Sequence, residues 1–124
     1  MKLPNRKNAI ISKNKLMDYL LSLTHSEGKS KAKFFRSIGF NETNVEKLEW
    51  ALLRIAKSND VRKIKEEIKI DKKTSRVINV VRYDIDGMIK APNGKHYNIR
   101  TGWTINAQEG IPHLVTALPG RLGV

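Results

Sequence analysis

Apolar and polar positions along the chain change their period once, near residue 75. Before that point the spacing is helical. Leu16, Met17, Leu20 and Leu21 follow Ser12 at intervals that bury one stripe, predicting a first helix from a Ser12 N-cap through Leu23. Turn and cap residues occupy 24–30, after which Ala32, Phe35 and Ile38 set a second helix over Lys31 to Ile38, ended by Gly39 in the left-handed conformation glycine tolerates. Thr43-Asn44-Val45-Glu46 has the Thr-x-x-Glu form of a capping box. Val45, Leu48, Leu52 and Ile55 then lie on one face of a third helix running to about Lys57. In 61–69 the apolar residues Val61, Ile64 and Ile68 fall at i, i+3 and i+7, which favours a short helix over a strand.

Beyond Ser75 the period is 2. Val77, Val81, Tyr83, Ile85 and Ile89 alternate with a more polar set that includes Arg82, Asp84, Asp86 and Lys90, and the whole predicts one long strand. Pro92-Asn93-Gly94 follows as a turn, and side-chain matching fixes its register. A two-residue Asn-Gly loop sets Trp103 against Asp84 and mixes the faces. A three-residue loop, with Pro92 opening a type I turn and Gly94 in the bulge position, pairs Ile89 with Tyr97, Gly87 with Ile99 and Tyr83 with Trp103. The opposite face then carries Arg82, Asp84, Asp86, Lys90, His96, Asn98, Arg100 and Thr104, with Asp86 facing Arg100. A third strand, Pro112 to Leu118, stops at Pro119-Gly120. The expected fold is α+β, N-terminal helices followed by an antiparallel β-meander packed on them by one face.

At 124 residues the chain has the length of a single domain. Hydrophobic residues make up 40% of it without a run long enough to span a bilayer, which argues against both a disordered tail and a membrane protein. The basic stretch Met1–Asn14 has no apolar segment or cleavage site after it and does not read as a secretion signal. There is no cysteine, so thiolate nucleophiles, cysteine-ligated zinc and disulfides are excluded. Lys and Arg number 24 against 12 Asp and Glu, a net charge of +12, with the excess concentrated in residues 1–36 and 61–76. Such a balance points to a polyanion, nucleic acid first, or to an acidic protein.

No P-loop, GxSxG, HExxH or EF-hand pattern is present. Three histidines, a lysine-rich helical entry and a polar sheet face suffice for metal-independent cleavage of RNA. One group takes the 2′-hydroxyl proton, one protonates the leaving 5′-oxygen and fixed cations stabilise the phosphorane-like charge. His25, with Lys29, Lys31 and Lys33 close behind it, either serves such a site or caps a turn beside a solvated helix face. Arg100 can clamp a phosphate with its planar fork or pair across strands with Asp86, and Asp86 can orient it for the first role. Arg82 and Asn98 share its face as substrate-binding candidates. Trp103 falls on the core side of the register, with base stacking as its other reading. Asp84 and Asp86 point the same way and could hold Mg²⁺, with Glu67-Ile68-Lys69 as an E-x-K element. The order of these pieces is reversed from the usual arrangement, and Arg82 and Arg100 neutralise the pair.

The segments His25 to Phe35, Ile38-Gly39-Phe40, Asp86-Gly87, Pro92-Asn93-Gly94-Lys95, Arg100-Thr101-Gly102-Trp103 and Leu114 to Pro119 resemble a small bacterial domain family, the DUF6883 type, over about residues 12–119. The layout and the closing V-T-A-x-P strand also resemble the Barnase/EndoU/ColicinE5-D/RelE (BECR) superfamily of ribonuclease toxins, which includes C-terminal toxin domains of contact-dependent inhibition systems. That resemblance implies a metal-independent ribonuclease without a cofactor, commonly a tRNase, acting in the bacterial cytoplasm. By position it implies catalytic roles for His25, Lys31, Arg100 and Thr116. It also implies an acidic immunity protein or antitoxin as partner, with the free chain a monomer. Leu118 stands where related sequences often carry an aromatic residue. The competing expectation is a non-enzymatic basic module that binds nucleic acid through the same cations.

Overall fold

A computed structural model of the protein describes residues 1–120. A 3-10 turn (Arg6–Asn8) and three further helical segments precede a four-stranded antiparallel sheet. The three are α1 (Lys13–Lys15), continuing directly as a π-helical turn (Leu16–Leu20), then α2 (Lys29–Ser37) and α3 (Val45–Ser58). The strands are β1 (Val61–Ile70), β2 (Val77–Lys90), β3 (His96–Asn106) and β4 (Pro112–Pro119), in the spatial order β1-β2-β3-β4. The helices cover one face of the meander, as the change of period predicts.

The hairpin register is the predicted one. Asp86 faces Arg100, Gly87 faces Ile99, Ile89 faces Tyr97 and Tyr83 faces Trp103. Gly94 takes φ +87°, and its N–H donates to the Ala91 carbonyl at 2.9 Å, closing the three-residue turn. The core is built from Leu16, Leu20, Leu21, Phe35, Leu48, Leu52 and Ile55 on the helices against Ile85, Ile99, Trp103 and Ala117 on the sheet. Each such large side chain contributes about 1.5–3 kcal/mol by leaving water. Inside it, the Trp103 Nε1–H donates to Thr101 Oγ1 at 2.8 Å, and that hydroxyl donates to the Ile85 carbonyl at 2.8 Å, so the buried polar atoms are satisfied.

Four local expectations change. Residues 61–69 form a strand, not a helix. The first residues of β2, 77–79, reach beyond β3, and β1 pairs with all of that overhang and on along β2, from Ile70↔Val77 to Val61↔Ile85. The isoleucines whose spacing suggested a helix lie along the outer end of this ribbon, where Ile64, Ile68, Ile70 and Val77 stay exposed. The period carried no burial because no layer covers it. The first helix ends at Leu20 rather than Leu23, where the Leu21 N–H bonds to the Leu16 carbonyl in the wide π pattern and Ser22 Oγ accepts from the amides of Thr24 and His25. Met17, predicted within its buried stripe, faces solvent. The Thr43–Glu46 capping box does not form. α3 starts after Asn44, whose side chain accepts from the Asn41 amide and donates to the Gly39 carbonyl, tying the loop together instead.

Candidate active site

The π-turn sets the site. It turns Leu16 and Leu20 into the core and leaves Tyr19 half-buried at the β4 edge. The Tyr19 hydroxyl lies 3.3 Å from Thr116 Oγ1 and accepts from Lys31 Nζ at 2.7 Å. Lys15 and Lys31 also lie over its ring, 4.6 and 5.0 Å from the centroid. Burial alone would raise the phenol pKa. The hydrogen bonds from Lys31 and Thr116, with the charges of Lys31 and Lys15, outweigh it and leave the group below its ordinary value of 10.0. A phenol held this way parts with its proton more readily than a free tyrosine.

His25 packs edge-on against Tyr19, ring centroids 5.0 Å apart. Its Nδ1 accepts from the amides of Glu27 and Gly28 at 3.0 and 2.9 Å, which caps the turn leading into α2. With Nδ1 engaged, the neutral ring carries its proton on Nε2. His25 is therefore the turn cap with its remaining N–H on Nε2, and in this tautomer it is not placed to act as a base. Gly28 follows from the same packing, because a Cβ there would meet the Tyr19 main chain, 3.0 Å from its carbonyl carbon and closer still to the oxygen.

Across the sheet, Thr116 faces Gly102, which faces Asp84, so the three form one row on the polar side. The guanidinium of Arg82 lies flat over Gly102, where a Cβ would be 3.0 Å from its Cζ, and its Nε donates to Asp84 at 3.2 Å. Arg82 thus reaches toward Thr116. Arg100 stands one row along, opposite Leu118, and donates through Nε and Nη2 to Asp86 at 2.9 and 3.2 Å. The hydrogen bonds to Asp86 raise the Arg100 pKa beyond its ordinary value, so the fork stays charged.

The structure accordingly brings His25, Lys31 and Thr116 together around Tyr19, with Arg82 over Gly102, which faces Thr116, and Arg100 on the neighbouring row of the same face. It does not bring in the others. Lys29 and Lys33 share the opposite side of α2 from Lys31, at the four-residue spacing that stacks side chains, and both are exposed. Asn98 lies a further row toward the hairpin turn, beside Gly120. Trp103 is fully buried and has no face left for stacking a base, which corrects its place among substrate-binding candidates. Asp84 and Asp86 are taken up by Arg82 and by Arg100 and Arg62, so the pair is not a free set of donors for a cation. Sequence reasoning missed Tyr19 and Lys15. The one signal available was the fixed distance from Tyr19 to the His25–Gly28 turn that folds back on it.

The fold and this cluster define a small basic α+β domain in which a helical turn and the β4 edge of the sheet share a polar cluster. The chain belongs to the DUF6883 family, a domain of unknown function whose family model matches residues 2–121. Its fold is similar to that of a chain in the contact-dependent growth inhibition toxin–immunity protein complex from Klebsiella pneumoniae 342. The TM-score is 0.63 at 16% sequence identity, covering 94% of this chain and 97% of that one. No curated protein matches the chain in sequence.

Proposed function

We propose that the protein is the toxin member of a toxin–immunity pair and a ribonuclease of the BECR type, cutting RNA, tRNA foremost, by attack of a ribose 2′-hydroxyl. The observation that carries the reading is the Tyr19 phenol held between Lys31, Lys15 and Thr116 at the edge of the sheet face that bears Arg82 and Arg100. The net charge of +12 favours the toxin over the immunity role, because a partner of RNA must be cationic and its neutraliser acidic.

In the proposed step the 2′-oxygen bonds to phosphorus and loses its proton to solvent. The bond from phosphorus to the 5′-oxygen breaks, and the Tyr19 phenol protonates that oxygen as it leaves. The products are a 2′,3′-cyclic phosphate and a free 5′-hydroxyl. Lys31 stabilises the phenolate until it regains a proton from water. Arg82, Arg100 and the His25 Nε2–H hold the non-bridging oxygens, where charge accumulates in the transition state. Thr116 fixes the phenol.

The test is incubation of the purified chain with a tRNA pool, with end mapping in EDTA and in Mg²⁺. Cyclic-phosphate ends in both conditions are expected, with Tyr19→Phe and Lys31→Met each slowed by about 10²–10⁴ while binding persists. RNA that is bound but left intact identifies a binding module instead, and cutting only with Mg²⁺ moves the chemistry to the Asp84/Asp86 face. In cells, expression is expected to arrest growth unless the adjacent gene is co-expressed.

A further inference from the structure

Among the described residues, the sheet has an edge with no strand beside it. β1 pairs with β2 only as far as Ile85, so residues 86–90 of β2 have no paired strand on that side. The Asp86 carbonyl points outward, since it accepts from Asn59 Nδ2 at 2.8 Å, and the Ala91 N–H points inward to Lys95 across the hairpin. Alternation along the strand then turns the N–H and C=O of Met88 and Lys90 outward, with no partner from another strand among the described residues.

Beside this edge runs a furrow between α3 and the hairpin. Two cavities of about 460 and 450 Å³ share Ala51, Arg54, Met88 and Lys90 and so form one trough. It wraps round the strand, with α3 on the covered side of the sheet and Lys90 and His96 on the polar side. The half of it beside Trp50 is apolar, with Trp50 63% and Met88 53% exposed, and the half beside Ser58, Asn59 and His96 is polar. Its charges are Lys47, Arg54 and Lys90 against Glu46 alone, with the Arg54 guanidinium over the Trp50 ring at 5.4 Å.

We propose that this trough is a docking slot for an extended acidic segment of a protein partner, which continues the sheet where β1 stops. Outward peptide groups of Met88 and Lys90 pair with the incoming strand, an apolar side chain rests on Trp50 and Ala51, and carboxylates meet Arg54, Lys47 and Lys90. A polypeptide fits better than a nucleic acid, because the edge offers alternating main-chain donors and acceptors and the wall beside Trp50 is aliphatic and aromatic. The slot lies away from the Tyr19 site, with β3 between β2 and β4, and does not depend on the ribonuclease reading.

The probe is a capped seven-residue peptide alternating glutamate and valine, with its lysine–valine counterpart as control, titrated into the full chain and followed by amide hydrogen exchange. Slower exchange at Met88 and Lys90 is expected with the acidic peptide, without change at Ile89, whose amide faces β3. Tryptophan fluorescence should report the same event, because Trp50 is exposed and Trp103 buried. Trp50→Ser should weaken binding about tenfold, and Met88→Pro, which deletes an outward N–H, should abolish protection at Lys90. The proposal fails if the acidic peptide does not bind, if it binds without protecting these amides, or if the basic peptide binds equally well. Protection that grows with protein concentration alone assigns the edge to a second copy, and protection by tRNA assigns it to nucleic acid; either overturns the proposal.

Discussion

Gly28→Ala sets local preference against tertiary contact, and the two disagree in sign. Gly28 sits at φ −87° and ψ −13°, right-handed helical values open to alanine. Local reasoning therefore expects a gain of about 0.4–1 kcal/mol, because alanine narrows the unfolded ensemble. The contact says otherwise. A Cβ would sit 3.0 Å from the Tyr19 carbonyl carbon and 3.1 Å from Cδ1 of its ring, where carbon atoms rest at about 3.5–4.0 Å. Neither neighbour is free to give, since the carbonyl is main chain and the ring is held by Lys31 and Thr116. Relieving such overpacking costs about 1–3 kcal/mol. The net expectation is a loss of about 1–2 kcal/mol, or about 4–8 °C in Tm for a chain of this length. Thermal and urea unfolding followed by circular dichroism measure it. Cleavage should fall further than stability does, because the displaced group is Tyr19. Tyr19→Ala in the same background should not restore stability, since the closest contact is with main chain. A midpoint that is unchanged or raised would refute the argument that packing against Tyr19 dictates glycine at 28.

Other expectations follow from the same geometry. His25→Ala should cost about 1 kcal/mol by removing the acceptor for two amides, while His25→Asn, whose Oδ1 takes the place of Nδ1, should keep most of it; urea midpoints separate them. Tyr19 should ionise below the ordinary tyrosine value in an absorbance titration. Its folded pKa is depressed, so the stability it adds is full above the ordinary tyrosine pKa and lost as pH falls through the lowered one. Lys31→Met should move that ionisation upward, because burial then stands less opposed. Asp86→Asn releases Arg100 and Arg62 from their carboxylate, so RNA binding should tighten and the slope of log K against log salt should steepen by up to about one. Thr101→Val keeps shape but strands the buried Trp103 N–H, for an expected loss of about 1–3 kcal/mol in chemical denaturation.

The β2–β3 part of the candidate site was legible in advance because strand alternation is strict, whereas the register of the 112–118 strand, and with it the place of Thr116, was not. Once Tyr83 is matched to Trp103, every residue from Arg82 to Arg100 is assigned a face, and the polar row follows. α2 was legible through Gly39, which needs the left-handed conformation it adopts at φ +110°. The helical half was not. Tyr19 looked like one more residue beside a leucine stripe, since nothing in a sequence shows that a turn will widen to the π pattern and direct a phenol at a strand ninety-seven residues away. The lysine run read as one cluster, but the helix it forms sends Lys31 one way and Lys29 and Lys33 the other.

By itself, then, the sequence determined the order of helices and strands outside 61–70, the hairpin register, the buried stripe of α3 and the basic character of the surface. These depend on contacts between near neighbours or on a period of two that permits no intermediate state. Tertiary structure alone decided that 61–70 is a strand, that Tyr19 meets Lys31 and Thr116, and that β2 outruns β1 beside Trp50. Each of those outcomes turns on which distant segment occupies a shared edge, and an edge belongs to no single stretch of chain.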